Sequence, residues 1–168
     1  MATVARAEPP QLRTAAAVQA LGPEAAAERR DVRLRGVVTF TWHTGTSEFT
    51  VQDGTGAVLL PAVPLPRGCR VGAEVEVEGR TEAGGFGPIV QPEVVRVLGE
   101  SALPPPVPTT YENLLTPELH GRRVEIIGIV RGQRVNPELG LNWLALEIAA
   151  GGARLTVNVT HEITGHPE

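Results

Sequence analysis

The sequence predicts an all-β protein with short helices, made of two copies of one small five-stranded barrel, the second incomplete. Three observations predict it. The first is an internal repeat: Val32-Arg33-Leu34-Arg35-Gly36-Val37-Val38 returns as Val124-Glu125-Ile126-Ile127-Gly128-Ile129-Val130. On either side, Leu21-Gly22-Pro23-Glu24 matches Leu115-Thr116-Pro117-Glu118, and Gly56-Ala57 matches Gly152-Ala153. Self-similarity of this kind marks repetition of one supersecondary unit. The second is a hydrophobic period of two, the signature of strands with one buried face. The third is the punctuation: 19 Gly and 15 Pro in 168 residues favour short strands joined by turns over long helices.

Residues 1–30 read as a loose tail and two short helices. Thr14 is placed to cap a helix from Ala15 to Leu21 that ends at Gly22, and Pro23 suits the first turn of a second, Glu24 to Glu28. The first module spans residues 31–99. Val32, Leu34, Gly36, Val38 and Phe40 share one face of its first strand, and Arg33, Arg35, Thr39 and Thr41 the other. Phe49 and Val51 alternate with Thr50 and Gln52 on a second strand, with Phe49 pointing to the core. Asp53-Gly54 signals a tight hairpin into Ala57–Leu60. Pro61, Pro64 and Pro66 exclude a regular helix from the next connection. Ala73, Val75 and Val77 alternate with Glu74, Glu76 and Glu78 on a fourth strand; Gly84-Gly85 turns the chain, and Val94–Leu98 forms a fifth. Residues 100–109 are a linker stiffened by Pro104-Pro105-Pro106, expected to hold the modules at an angle that a bound ligand would bias. The plan restarts in a truncated second module, residues 110–168: a helix around Tyr111–Leu115, then strands near 123–131, 142–149 and 153–160.

Five short antiparallel strands with a glycine in a long curved first strand match the partly open Greek-key barrel known as the OB-fold. Gly36 and Gly128 fall where that strand must bend. The incomplete second barrel leaves open strand edges, which invite pairing with another chain or cover by the first module.

Composition is globular, 42% hydrophobic and 20% charged. A net charge of −4 argues against a general nucleic-acid binder, which gains affinity by neutralising phosphates. All 15 basic residues are Arg. Cys69 is the single cysteine, so neither an intrachain disulfide nor a cysteine metal cluster can form; it reads as a buried filler despite flanking Arg67 and Arg70. No stretch is long and apolar enough for a membrane span. Ala5-Arg6-Ala7 before Glu8-Pro9-Pro10 has the form of a signal cleavage site but lacks the apolar segment such a signal requires.

The order of these motifs resembles the extracytoplasmic sensory region of large bacterial membrane-bound histidine kinases, built from tandem OB-like modules. The carrying residues are Val32–Val38, Phe49–Gly56, Val71–Gly79 and Pro104–Val130. The resemblance implies a periplasmic, non-catalytic sensor domain in two-component signal transduction, binding a small molecule, glycan or protein and joined to the membrane by regions outside this sequence. It brings no known ligand contact with it. The Phe-x-Val-Gln-Asp-x-Thr-Gly hairpin is also similar to that of OB proteins that bind single-stranded nucleic acid, so a cytoplasmic nucleic-acid module is the alternative.

OB barrels bind ligands on the strand 2–3 face, framed by the loops joining strands 1–2 and 4–5. That makes Trp42, His43 and Phe86 candidate ligand-binding residues of the first module, although Trp42 shares the parity of the core and equally suits plugging the barrel. Trp143 has the opposite parity to Leu144, Leu146 and Ile148, so it is expected outward near Arg131 and Arg134, either as a binding anchor, which completes the candidate set, or as part of the contact between modules. Glu74, Glu76 and Glu78 could present an acidic surface, but Arg33 and Arg35 on the neighbouring first strand are expected to pair with them. His161 and His166 are five apart, with Gly165 and Pro167 breaking any helix, so no zinc site is expected. No catalytic set stands at interpretable spacing, and neither enzyme activity nor a cofactor is expected.

Overall fold

The computed structural model describes residues 10–42, 48–61, 63–136 and 143–159. Within them the chain divides into two compact units. One is the chain up to Pro104 together with His120–Arg122; the other is Pro105–Leu119 together with the chain from Arg123 onward.

In the first unit, helices α1 (Ala15–Gln19) and α2 (Pro23–Ala27) precede strands β1 (Asp31–Thr41), β2 (Phe49–Gln52), β3 (Ala57–Leu60), β4 (Ala73–Ala83) and β5 (Pro88–Glu100). The hydrogen-bonded order is β3-β2-β1-β4-β5, every neighbour antiparallel. The outer strands β3 and β5 approach each other with no ladder between them. This is the strand order of a partly open OB barrel. Alternation fills its inside: Val32, Leu34 and Val38 of β1, Phe49 and Val51 of β2, Val58 and Leu60 of β3, Ala73, Val75 and Val77 of β4, and Val90 of β5 form one cluster. Leu12, Ala15 and Val18 join it, so α1 belongs to the core. Phe49 is fully buried, as its parity demands. The connection after β3 holds no helix among its described residues and contributes buried Cys69.

Two strands outrun their expected lengths. β4 runs past Glu78 to Ala83, and β5 begins at Pro88 rather than Val94. The missed stretch does face the core, with Thr81, Pro88, Val90 and Pro92 buried, but glycine, threonine and proline at those positions interrupt the apolar alternation by which a strand is read. Helix α1 is also shorter than expected, ending at Gln19 with Ala20 as its C-cap.

The Asp53-x-Thr55-Gly56 hairpin has a job within the fold. Asp53 Oδ1 accepts the N–H groups of Thr55 (2.7 Å) and Gly56 (3.0 Å), closing the turn. Asp53 Oδ2 accepts the N–H of Ala15 (2.8 Å), Thr55 Oγ1 that of Ala16 (3.0 Å), and Thr14 Oγ1 that of Ala17 (3.2 Å). These N–H groups open α1 and have no acceptor inside a helix. The motif is therefore the cap of the helix that plugs the barrel.

The second unit contains a two-residue strand β6 (Val107–Pro108), helix α3 (Tyr111–Leu114), a 3-10 turn (Pro117–Leu119), and strands β7 (Val124–Glu125), β8 (Ile129–Asn136), β9 (Trp143–Ala150) and β10 (Ala153–Val159). β8, β9 and β10 form an antiparallel sheet in the order β10-β9-β8, and β6 pairs parallel with β7. The single strand expected over 123–131 is thus two, separated by Ile126–Gly128.

The repeat extends to geometry. Leu12 bridges Val32 in parallel, its N–H donating to Asp31 O and its carbonyl accepting from Arg33; Val107 pairs with Val124 in the same sense ahead of the second copy. Gly36 presses on β2: a Cβ there would lie 2.6 Å from Gln52 O and 2.8 Å from Val51 Cγ1. Gly128 presses likewise on β9, against Ile148 Cγ2 and, at 2.8 Å, Ala149 O. Each first strand then shifts register at the matching place, between Val38 and Phe40 and between Val130 and Gly132. What the second unit lacks, among its described residues, is a counterpart of β4 and β5.

Candidate functional site

The acidic run on β4 is matched by arginines on both neighbouring strands. Arg33 and Arg35 of β1 stand opposite Glu78 and Glu76 in the ladder. Arg33 reaches Glu76 (3.1 Å) and Glu78 (3.7 Å), and Arg35 reaches Glu74 (3.0 Å). From β5, Arg96 reaches Glu76 (3.2 Å) and Glu78 (2.9 Å). The hydrogen bond from Arg96 lowers the Glu78 carboxyl below its ordinary range, with the charges of Arg96 and Arg33 adding to it. Glu74 raises the Arg35 guanidinium in turn, and Glu78 raises that of Arg96. This stripe is a charge-paired outer wall with little to offer an anion or a cation. No group of three or more metal-binding side chains occurs among the described residues.

Thr50 and Gln52 point outward from β2 by parity, yet each is only 4% exposed. A part of the cover is visible. Gly121, at φ +72°, lies against the β2–β3 ribbon, where an added Cβ would stand 3.3 Å from Thr50 Cγ2 and 3.5 Å from Ala57 Cβ. His120–Arg122 therefore overlies the ribbon on which barrels of this type receive ligands. Gln19 of α1 seals the same end by donating from Nε2 to Ala57 O (3.0 Å).

Phe86, in the β4–β5 loop, is 88% exposed, and its ring stands 6.1 Å from that of His120 at 57°. His120 Nδ1 and Arg122 Nε are buried without a hydrogen-bond partner among the described residues. An exposed aromatic face beside an unpartnered imidazole nitrogen can stack on a planar or sugar ring and donate or accept one hydrogen bond. Sequence reasoning singled out Phe86 and missed His120. The residue lies in the repeated copy, far along the chain, and no local pattern tied it to the first barrel.

Trp42 follows the other end of the ribbon, next to the Thr41↔Phe49 pair. It is partly buried, packs on Phe40 with centroids 5.9 Å apart, and donates its backbone N–H to Glu48 O (2.7 Å). Trp42 and Phe86 thus flank the ribbon from opposite ends. His43 lies outside the described residues, as do His161 and His166. Arg131 and Arg134 are exposed on β8. Trp143 begins β9 opposite Asn136, with its side chain outside the described part.

The second unit has an open cleft of about 180 Å³ lined by Tyr111, Glu125, Ile126, Ile127 and Ala150, among others. Small-molecule sites usually need roughly 300 Å³ or more, so the cleft is a poor ligand pocket.

No protein-family model matches the chain, and no curated protein does. Among solved structures, the hypothetical protein ygiW from E. coli is similar over 52% of this chain and 89% of its own, at 15% identity and a TM-score of 0.40. An Entamoeba histolytica asparaginyl-tRNA synthetase, in complex with asparaginyl-adenylate, is similar over 55% of this chain, at 18% identity and a TM-score of 0.41. The same synthetase in another structure gives 16% identity and a TM-score of 0.38. The chain spans about a quarter (24%) of the synthetase's length. Likenesses this shallow add nothing to what the strand order already defines. The chain is an all-β, OB-fold protein, one barrel complete and a second partial.

Proposed function

We propose that the chain is a non-catalytic binding module whose ligand enters beside Phe86 and His120 and competes with residues 120–122 for the β2–β3 ribbon. The observation that carries this reading is that Thr50, outward by parity, is buried where Gly121, from the repeated half of the sequence, lies against it and Ala57. A ligand that lifts the segment converts binding into a change in the chain leading to β7, which is what a sensor requires.

That logic suits the input region of a membrane-bound bacterial histidine kinase on the extracytoplasmic side, the role that the motif order suggests. The ligand class is a small molecule or glycan with a ring to stack on Phe86, or a protein loop offering an aromatic side chain. Single-stranded nucleic acid is disfavoured, because it needs stacking residues in a cationic groove and the arginines of β1 and β5 are engaged by glutamates.

The test is a thermal-shift screen of free sugars, amino acids and short peptides, with every hit retitrated on Phe86→Ala and Trp42→Ala. The reading expects at least one hit that weakens roughly tenfold on Phe86→Ala, the scale of a lost stacking contact. Micromolar binding of a single-stranded oligonucleotide with a steep salt dependence would replace this reading with a nucleic-acid module.

A further inference from the structure

We infer that the free edge of the second unit, residues 124–130, pairs antiparallel with the same edge of a second copy of this chain. The first unit shows what this edge is for. Val32, Leu34 and Gly36 of β1 face β4 across a ladder running from Asp31↔Arg80 to Val37↔Glu74. The matching residues Val124, Ile126 and Gly128 have no strand on that side among the described residues, and Ile126–Gly128 has lost strand geometry there. An unpaired edge of this kind is a template for another strand.

The side chains argue for a copy of the chain itself. Outward positions of β1 carry Arg33 and Arg35; their counterparts are Glu125 and Ile127, followed outward by Ile129 and Arg131. Ile127 is 86% exposed and Ile129 60%, where an outer strand face ordinarily carries polar residues. The outward row thus reads Glu, Ile, Ile, Arg, which is complementary to itself when reversed.

Arg123 and Glu125 turn their carbonyls to Val107 and Thr109, which leaves the even-numbered backbone groups for the free edge, so a two-fold pairing that continues this alternation joins even residues to even residues. In one such register Gly128 meets the partner's Gly128 and Ile126 meets the partner's Val130. On the outer face Ile127 then meets the partner's Ile129, and Glu125 meets the partner's Arg131. Shifting the register by one step in either direction sets Glu125 or Arg131 opposite an isoleucine. The matched register alone satisfies both charges and buries both isoleucines, and two-fold symmetry makes each contact twice. The β4 strand of another copy would be a worse occupant, because its outward glutamates would face Glu125.

The experiment is sedimentation velocity on the full 168-residue chain across a dilution series, with circular dichroism to check each variant's fold. The wild type is expected to dimerise. Glu125→Arg and Arg131→Glu each place like charges opposite one another twice, and each is expected to weaken dimerisation roughly tenfold or more. An equimolar mixture of the two variants restores both oppositely charged pairs and is expected to recover the dimer as a heterodimer. Ile127→Lys is expected to be monomeric with the wild-type spectrum. The inference is overturned by a wild type that stays monomeric at every concentration. It is equally overturned by a dimer indifferent to both charge reversals, or by folded single variants whose mixture fails to associate.

Discussion

At the scale of single residues, the two bend glycines and one buried threonine carry the sharpest expectations. Gly36→Ala forces a methyl group into Gln52 O and Val51 Cγ1, and should cost about 1–3 kcal/mol in chemical denaturation. Thr81 is fully buried, donating from Oγ1 to Ala26 O (2.7 Å) while accepting the N–H of Arg30 (2.9 Å). Thr81→Val keeps the shape and strands both partners, so a loss of about 1–3 kcal/mol should appear in the same measurement. Burial raises the Cys69 thiol above its ordinary value. Iodoacetamide should therefore modify Cys69 slowly in the native protein and rapidly in denaturant; fast native labelling would contradict its burial. The bend glycines and the core parity of Phe49 were legible in the sequence, because steric exclusion and alternation are local rules. Thr81 was not, because its partners lie on α2 and the residues after it.

At the scale of elements, the β1–β4–β5 wall was half legible. Arg33 and Arg35 beside the β4 glutamates follow from any OB strand order, but Arg96 enters only through the register of a hairpin whose length the sequence understated. The wall also has a pH signature. Glu78 is held below its ordinary value of 4.5, so the folded state releases its proton more readily than the unfolded chain. Its contribution to stability is complete above the ordinary carboxylate range and is lost as pH falls through the lowered pKa. Glu78→Gln should therefore leave a midpoint of denaturation that depends less on pH on the acid side, with little change in pH sensitivity near neutrality. The β2–β3 ribbon was the least legible element. Its parity promised an exposed polar face, yet both polar residues are buried, and a distant segment, invisible to local patterns, lies against Thr50.

At the scale of the whole molecule, the two units differ in how much they bury. Nearly all the buried apolar residues belong to the first; in the second they are Ala145 and Ala150 among the described residues. Amide hydrogen exchange on dilute protein should therefore show β8–β10 exchanging well before β1 and β4, and uniform protection across both units would contradict this. The parallel bridge ahead of each first strand carries a practical consequence for trimming the protein. Leu12 both gives and takes a hydrogen bond with β1, and Val107 donates one to Arg123 O. A shortened version starting at Gln11 keeps the first bridge, whereas one starting at Thr14 unlaces the barrel at its opening stitch. Any attempt to isolate the second copy should begin before Val107 for the same reason.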